Sequence, residues 1–232
     1  MDSALWAKNA LPQYIAETLR PPLDFTRYQR VEWVGLKGFV GQKQVGDYGC
    51  WAAVAAALHE HAVKKGKASA PAKRQCQIAD LCFDLAPKHM CKDYNKPGPC
   101  TVLCYNDWLD KPEYMEKGLD KAGIGQAPSI AINSGTQAVI GGVAVRDKYD
   151  LAEIRALLAA GHAVILRVLT GSAGVATTGH VIVVYECEKN GDGLRIFDPD
   201  KRPDPSERPV QFSAVASQYG PVNWKFFTTK LG

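Results

Sequence analysis

The sequence predicts an α+β fold, with helices in the first half of the chain and an antiparallel sheet in the second. Apolar residues recur at helical spacing in the first half, whereas short apolar runs separated by turn residues dominate the second. No long linker, internal repeat or low-complexity tract interrupts the 232 residues. We therefore expect an N-terminal arm at 1–36 and one domain at 37–232, divided into a helical lobe at about 44–125 and a β lobe at about 126–232.

The composition is that of a globular chain. Hydrophobic residues make up 46% of it and charged residues 22%, with a formal net charge of +4. Basic residues never form a run longer than two or three, so we expect no nucleic-acid partner. The longest apolar stretches, such as 51–58 and 163–166, are far too short for a membrane span, and we expect none.

Residues 1–14 contain one lysine and no apolar core of the length that a secretory signal needs. On this interpretation the chain either is not exported by that route or has lost its signal. A cluster of cysteines, in contrast, is more typical of an oxidising compartment. The sequence leaves the localisation open, and secretion or delivery by a signal-peptide-independent route is one hypothesis.

The helical lobe begins after an extended lead-in. Residues 1–30 combine a short helical pattern with two prolines, and residues 31–41 contain three glycines, which fits an edge strand or extended segment. The alanine-rich segment after Cys50 has apolar positions at helical spacing, late lysines and Gly66 as a stop signal. It predicts a buried helix with Cys50 at its N-terminus. Further helical segments are predicted at 70–92 and at 104–122, the latter as a helix or a pair of turns.

The β lobe contains five strand candidates and one helix. The helix at 151–160 has Asp150 as its N-cap, Glu153 three residues on and Gly161 after its end. A hairpin turn is predicted at 190–193, where the chain reads NGDG. The strands are predicted at 138–145, 162–169, 180–187, 194–198 and 222–229.

Cys50 is the most informative residue of the sequence. The N–H groups and partial positive charge of a helix N-terminus stabilise a thiolate, which is the nucleophilic form of cysteine. Gly49 before it permits a tight entry and the close approach of a substrate backbone. The alternative is a buried structural thiol, so the choice depends on the surrounding residues.

A cysteine nucleophile requires a base, and five histidines are available. His59 and His61 lie roughly 13–17 Å from Cys50 along the same helix, at 1.5 Å per residue, which is too far. His89 belongs to the cysteine-rich segment, and a histidine at a strand start, such as His162, is more often structural. His180 also starts a strand but follows a Gly/Ser/Thr-rich loop, which suits a side chain that points into a cleft.

A third group must orient the imidazole, and two aspartates are candidates. The strand that begins at His180 turns at 190–193 and returns beside its own start. Asp198 or Asp200 can therefore reach the imidazole, since both share one face of the returning strand.

A side-chain amide before the nucleophile completes the pattern. Gln44 lies six residues before Cys50 and can stabilise an oxyanion together with the Cys50 N–H, with Gln42 as the competing candidate. The order Gln, Cys, His, Asp is the strongest functional signal in the chain, and it predicts a thiolate–imidazolium pair between Cys50 and His180.

With these residues identified, the sequence resembles the papain-like cysteine peptidases. The matching motifs are Gln44-x5-Cys50-Trp51-Ala52, the pair Gly179-His180 that opens an apolar strand, and Asp198-Pro199 after a hairpin. An aspartate in place of papain's asparagine is most similar to the compact bacterial branch, which includes staphopain-like and bacteriocin-leader-type enzymes and secreted effector proteases. The segment LAEIRALLAAGHAVILRV also resembles the helix and strand before the histidine in those proteins, and the likeness covers about residues 40–200.

The resemblance implies a papain-like fold and peptide-bond hydrolysis through an acyl-enzyme, with no metal or organic cofactor. It makes Cys50 the nucleophile, His180 the base and later the acid, and Asp198 the residue that fixes the imidazole tautomer. Gln44 and the Cys50 N–H then bind the oxyanion. The implied partner is a peptide or protein substrate, an inhibitor or immunity protein is a further candidate partner, and we expect a monomer. Tyr48 departs from the family's glycines and is expected to narrow the cleft.

The cysteine-rich segment is predicted to be structural. Its irregular spacing fits disulfides better than zinc, which usually shows paired short spacings. Zinc, with His89 as an added ligand, and reduced thiols are the alternatives, and spacing alone assigns no pairs. The segment at 76–104 contains Cys76, Cys82, Cys91, Cys100 and Cys104, while Cys187 is predicted to face the core.

Other functions stay open beside an endopeptidase. Deamidases, transglutaminases and transpeptidases use the same thioester chemistry with different acceptors. A non-catalytic, cysteine-stapled interaction module on the same scaffold is another class, although an intact Cys–His–Asp set argues against it. A bacterial effector or toxin and a maturation protease are both compatible biological roles.

Overall fold

The computed structural model describes residues 31–46, 49–83, 119–124, 138–140, 143–146, 149–170, 178–201, 209–219 and 225–231. Contacts divide the chain into a unit at Met1–Val31 and a unit at Glu32–Gly232. All of the described helices and strands belong to the second unit. The predicted segments at 84–92 and 104–118 lie outside the described residues.

The described residues form helices and an antiparallel sheet, so the α+β prediction is confirmed. The described helices are α1 (Cys50–Lys64), α2 (Gln75–Phe83), α3 (Leu151–Ala159) and α4 (Val215–Tyr219), the last preceded by a 3-10 turn at Phe212–Ala214. The described strands are β1 (Trp33–Gly35), β2 (Ala138–Ile140), β3 (Val143–Arg146), β4 (His162–Thr170), β5 (Thr178–Glu188), β6 (Gly193–Phe197), β7 (Val210–Gln211) and β8 (Lys225–Lys230).

The strands form one eight-stranded sheet in the order β2-β3-β8-β4-β5-β6-β7, and β1 pairs with β5 beside this path. All of the described pairings are antiparallel. The first part of β5 pairs with β4, and its last part pairs with both β1 and β6. His180 lies in the part of β5 that pairs with β4 alone among the described strands, opposite Val168.

Several boundaries differ from those that the sequence predicts. The single strand predicted at 138–145 is two strands, β2 and β3, which pair with each other as Ala138↔Val145. The helix predicted from residue 70 begins at Gln75, after Arg74, whose N–H donates to the Gln77 side chain and whose carbonyl accepts the first N–H bonds of the helix. The strand β1 lies inside the predicted arm at 1–36 and pairs with β5, so contacts start the second unit at Glu32.

Two apolar clusters cover the two faces of the sheet. One joins α1 and α2 to sheet residues such as Ile165 and Val183, and the other joins α3 to residues such as Val164 and Ile182. The alternation of neighbouring residues between the clusters follows the period of two in a strand. A capping box at Asp150 and Glu153 starts α3, as the sequence predicts.

The helix α1 is buried on almost every side. Twelve of its fifteen residues are buried, and it packs against both β5 and α2. Its alanines carry little side-chain volume, so the helix axis can lie close to the sheet. No helix in the described part of the chain combines the length and the hydropathy that a bilayer crossing requires.

The segment between β1 and α1 is held by aromatic packing. The Phe39 ring stacks on Tyr185 at 5.1 Å and lies 5.7 Å from the Phe197 ring, measured between centroids. Gly41 passes directly over Phe197, and a Cβ atom at that position would collide with the ring. A glycine is therefore required where this segment crosses β6.

We expect Gly41→Ala to destabilise the fold, because the added methyl group overpacks the Phe197 ring. Overpacking costs about 1–3 kcal/mol, and each kcal/mol lowers Tm by about 2–4 °C in a chain of this size. Thermal unfolding followed by circular dichroism measures the shift. Val40→Ala is the matched control, since Val40 is 51% exposed, and its effect should stay within about 0.5 kcal/mol. Equal Tm values for Gly41→Ala and wild type would contradict the packing argument.

Candidate functional site

Three residues that the sequence predicts to act together meet at one place. Cys50 begins α1, His180 lies near the start of β5, and Asp198 follows the last residue of β6. His180 Nε2 lies 2.8 Å from Asp198 Oδ1, and the His180 side chain also hydrogen-bonds Cys50. Since Asp198 occupies Nε2, Nδ1 is the ring nitrogen that faces the thiol. The imidazole thus stands between a carboxylate and a cysteine.

The turn after β6 decides which aspartate meets His180. The register Val183↔Phe197, if continued, would place Asp200 opposite His180. The strand ends at Phe197, however, and the chain turns with the Lys201 N–H donating to the Asp198 carbonyl at 3.1 Å. This turn brings the buried Asp198 carboxylate to the imidazole, while Asp200 stays exposed.

The electrostatics of the pair favour two opposite charges. Burial by itself would lower the pKa of His180, but its hydrogen bonds and charge interactions with Asp198 and Cys50 raise that pKa to about 10. Burial would raise the pKa of Asp198, yet His180, the Asp200 N–H and Lys201 together lower it. At neutral pH the geometry therefore holds an imidazolium beside a carboxylate.

The start of α1 adds positive potential at the thiol. Gly49 is the N-cap and makes no side-chain cap bond, and no acidic residue lies in the first turn. The backbone N–H groups and the positive end of the helix dipole are thus not offset by an acidic group within this helix. Cys50 itself is 4% exposed, so these groups act on its sulfur at low dielectric.

The loop before the nucleophile is bonded to the turn that carries the aspartate. The Gln44 backbone N–H donates to the Pro199 carbonyl at 2.8 Å, and Gln44 Nε2 donates to the Gly46 carbonyl at 3.0 Å. Gln42, the competing candidate, donates instead to Glu60 at 2.6 Å, about 15 Å along the helix from Cys50. Of the two glutamines, Gln44 is the one bonded to this part of the site.

The other described histidines lie in different surroundings. His59 accepts a hydrogen bond from the Lys73 N–H at 3.2 Å, and burial lowers its pKa. His61 packs beside Phe39, and burial lowers its pKa as well. His162 is completely buried, and burial with the nearby charge of Lys230 lowers its pKa to about 4. Burial thus favours the neutral form of all three imidazoles, and His89 lies outside the described residues.

The described cysteines fall into two groups. Cys50 and Cys187 are buried and form no disulfide, and burial raises the pKa of the Cys187 thiol. Cys76 is disulfide-bonded and fully buried among apolar residues of α1 and α2. The side chains of Cys82, Cys91, Cys100 and Cys104 lie outside the described part of the chain.

One group of described side chains has the composition of a metal site. The ligand atoms of His180, Asp198 and Asp200 lie within 4.8 Å of one another. The Asp198 carboxylate already accepts hydrogen bonds from His180 and from the Asp200 N–H, and Lys201 Nζ lies 3.4 Å from its other oxygen. These contacts account for the group as a hydrogen-bonded acid–base set, and the lysine opposes a cation there.

Sequence reasoning missed Gln75 and Lys201. Gln75 is a buried polar residue at the start of α2 whose amide bonds the loop that contains Gln44. Its partners are about 30 residues away in sequence, so no spacing rule could identify them. Lys201 comes directly after Asp200, and the charge alternation of this turn was the only available signal.

Comparison with models of known protein families and with characterised proteins finds no match for this chain. The geometry of the site and the chemistry of its side chains are therefore what indicate a function.

The raised pKa of His180 makes one contribution to stability depend on pH. The charged imidazole is favoured in the folded state, so its contribution is fully present below about pH 6.5 and is lost as pH rises through about 10. Asp198→Asn removes the main partner of that charge. We expect the Tm difference between wild type and Asp198→Asn to shrink steadily from pH 6.5 to pH 10.

Calorimetric Tm values at five pH values test this expectation. Asp200→Asn is the matched control, because Asp200 is exposed on the same turn, and its Tm difference should be smaller and nearly constant. A difference from wild type that is equal for both variants at every pH would move the pairing role to Asp200.

Proposed function

We propose that this chain is a cysteine-dependent peptide-bond hydrolase of papain-like type that acts through Cys50, His180 and Asp198. The observation that carries the proposal is the imidazole of His180, which is hydrogen-bonded to Cys50 on one side and to Asp198 at 2.8 Å on the other. A nucleophile, a base and an orienting carboxylate in one line are the parts that acyl transfer requires.

In the proposed reaction the Cys50 sulfur attacks the carbonyl carbon of a peptide bond, and the carbonyl π electrons move to oxygen. The Cys50 N–H and the Gln44 amide are the proposed donors to that oxyanion. When the intermediate collapses, the C–N bond breaks and the His180 imidazolium gives its proton to the leaving amine. A thioester between Cys50 and the acyl fragment results.

Water then completes the cycle. His180, now neutral, accepts a proton from the attacking water, and the hydroxide adds to the thioester carbonyl. Collapse releases a carboxylic acid and returns the sulfur as a thiolate beside the reprotonated imidazole. Asp198 supports each step because it fixes the ring orientation and stabilises the imidazolium, without itself taking up the proton.

Several features support a role in catalysis over a purely structural one. A buried carboxylate and a partly buried imidazolium are costly to place together unless hydrogen bonds and charges compensate. The chain supplies those compensating groups at the start of α1 and on the turn after β6. A perturbed histidine between an anion and a nucleophile is a pattern that concentrates at active sites. A secreted bacterial effector or toxin is the biological role that we propose with it.

The first test is the reactivity of Cys50 towards iodoacetamide as a function of pH. We expect fast alkylation at pH 6 in wild type and at least tenfold slower alkylation in His180→Ala, because an ordinary thiol is only about 0.3% ionised at that pH. Peptide mass spectrometry reads the modified residue. Cys187 is an internal control, since it is free and fully buried and should react slowly in both proteins. Slow, pH-independent labelling of Cys50 in wild type would refute the pair.

The second test identifies the acceptor. Wild type, His180→Ala and the inactive control Cys50→Ala are incubated with a library of peptides in water enriched in oxygen-18, with and without a primary amine. We expect shorter peptides with one oxygen-18 at each new carboxyl terminus, and a loss of about 10²- to 10⁴-fold in His180→Ala. Glutamine converted to labelled glutamate would indicate a deamidase, and amine incorporation a transglutaminase. Either product in place of peptide cleavage, or no product at all, would contradict the proposal of a peptide-bond hydrolase.

A further inference from the structure

The buried side-chain amide of Gln75 makes two hydrogen bonds to the loop that precedes the nucleophile, and these two bonds form what we call the clamp. Gln75, the first residue of α2, is 5% exposed. Its Oε1 accepts a hydrogen bond from the Val45 N–H at 2.9 Å, and its Nε2 donates to the Lys43 carbonyl at 2.9 Å. One side chain thus makes the backbone hydrogen bonds of the residues on both sides of Gln44.

The opposite side of the same loop is bonded to the turn that carries the aspartate. The Gln44 N–H donates to the Pro199 carbonyl at 2.8 Å, and Pro199 directly follows Asp198. Three consecutive loop residues are therefore bonded in alternating directions, the outer two to α2 and the middle one to the turn. The loop has no regular secondary structure of its own, so these bonds determine where its middle residue lies.

A fixed loop position is important for the Gln44 amide, which is proposed to stabilise the negative charge that develops on the oxyanion. A donor to an oxyanion is effective when it is held in place before the reaction, because reorganisation during the reaction consumes the gain. A displacement of about 1 Å can cost roughly 10²-fold in rate. Beyond the clamp, Gly46 has a φ of +73°, a conformation that gives the loop a sharp change of direction immediately after the clamped residues.

A second glutamine on α2 shows that this arrangement is specific to one position. Gln77 accepts a hydrogen bond from the Arg74 N–H at 2.9 Å, a local contact at the start of its own helix. Gln75, two residues earlier, makes contacts 30 and 32 residues away in the chain. The two side chains are chemically identical, so they form a matched pair for mutagenesis.

We infer that Gln75 is a positioning residue for acyl transfer: it holds the loop at 43–45 so that the Gln44 amide is placed to stabilise the oxyanion. The inference depends on the proposed function for its catalytic meaning. Its effect falls on the tetrahedral intermediate and not on the nucleophile, because the amide oxygen and the amide nitrogen of Gln75 both bond the loop.

The test separates oxyanion stabilisation from thiol reactivity in the full chain. In Gln75→Ala we expect kcat to fall about 10- to 100-fold on a peptide that wild type cleaves, with KM nearly unchanged. The rate of Cys50 alkylation by iodoacetamide should stay within about twofold, since that displacement forms no oxyanion. Gln77→Ala is the matched control and should retain kcat. A parallel fall in alkylation and turnover would overturn the inference, because it would indicate a general disturbance of the site.

Gln75→Glu provides a second variant that keeps the side-chain shape. Its ionised carboxylate can accept from the Val45 N–H but cannot donate to the Lys43 carbonyl, whereas the protonated acid can do both. We expect the kcat of Gln75→Glu, divided by that of wild type, to rise as pH falls from 8 to 5. A kcat ratio that does not change over this range would contradict the positioning role of Gln75. This ratio can be measured even if Gln75→Ala fails to fold.

Hydrogen exchange distinguishes a failure of this inference from a failure of the proposed function. The Gln44 and Val45 amides should exchange at least tenfold faster in Gln75→Ala than in wild type or Gln77→Ala. Unchanged exchange would overturn the clamp whatever the activity. If wild type cleaves no peptide, the proposed function fails, while faster exchange at these two amides would still show that Gln75 holds the loop.

Discussion

The close packing of an alanine-lined helix against the central strand is the constraint on which the candidate site depends. The helix α1 lies against β5 with most of its side chains buried, and this places its first residue, Cys50, beside His180 near the start of that strand. Both residues belong to regular elements whose positions are set by the core. A site built on such elements is held more precisely than one built on loops.

The remaining parts of the site are irregular segments, and hydrogen bonds replace core packing there. The turn at 198–201 is closed by bonds from the Asp200 and Lys201 N–H groups to Asp198. The loop at 43–45 is bonded to that turn on one side and to Gln75 on the other. Residues just before this loop are held by packing, because Phe39 and Gly41 contact Phe197. A displacement of one segment is therefore transmitted to the other through short, directional contacts.

The parts that could be predicted are those that local sequence determines. Periodicity and caps located α1 and α3, and turn residues located the β5–β6 hairpin. The choice between Asp198 and Asp200 depends on where β6 ends and how the chain turns at Pro199. The alternation of side chains along a strand gives no information about either. The division of 138–145 into two strands could not be predicted either, since a short apolar run does not show where the chain reverses direction within it. Gln75 acts through contacts about 30 residues away, so its role arises only in the folded chain.

Comparison of the histidines shows why residue type alone does not define a catalytic base. His59, His61 and His162 are all buried, and burial lowers the pKa of each, which favours the neutral ring. His180 is subject to the same effect, but its hydrogen bonds and charge interactions with Asp198 and Cys50 outweigh burial and raise its pKa to about 10. The difference lies in whether a carboxylate is within hydrogen-bonding distance. The turn after β6 holds that carboxylate in a buried position beside the ring.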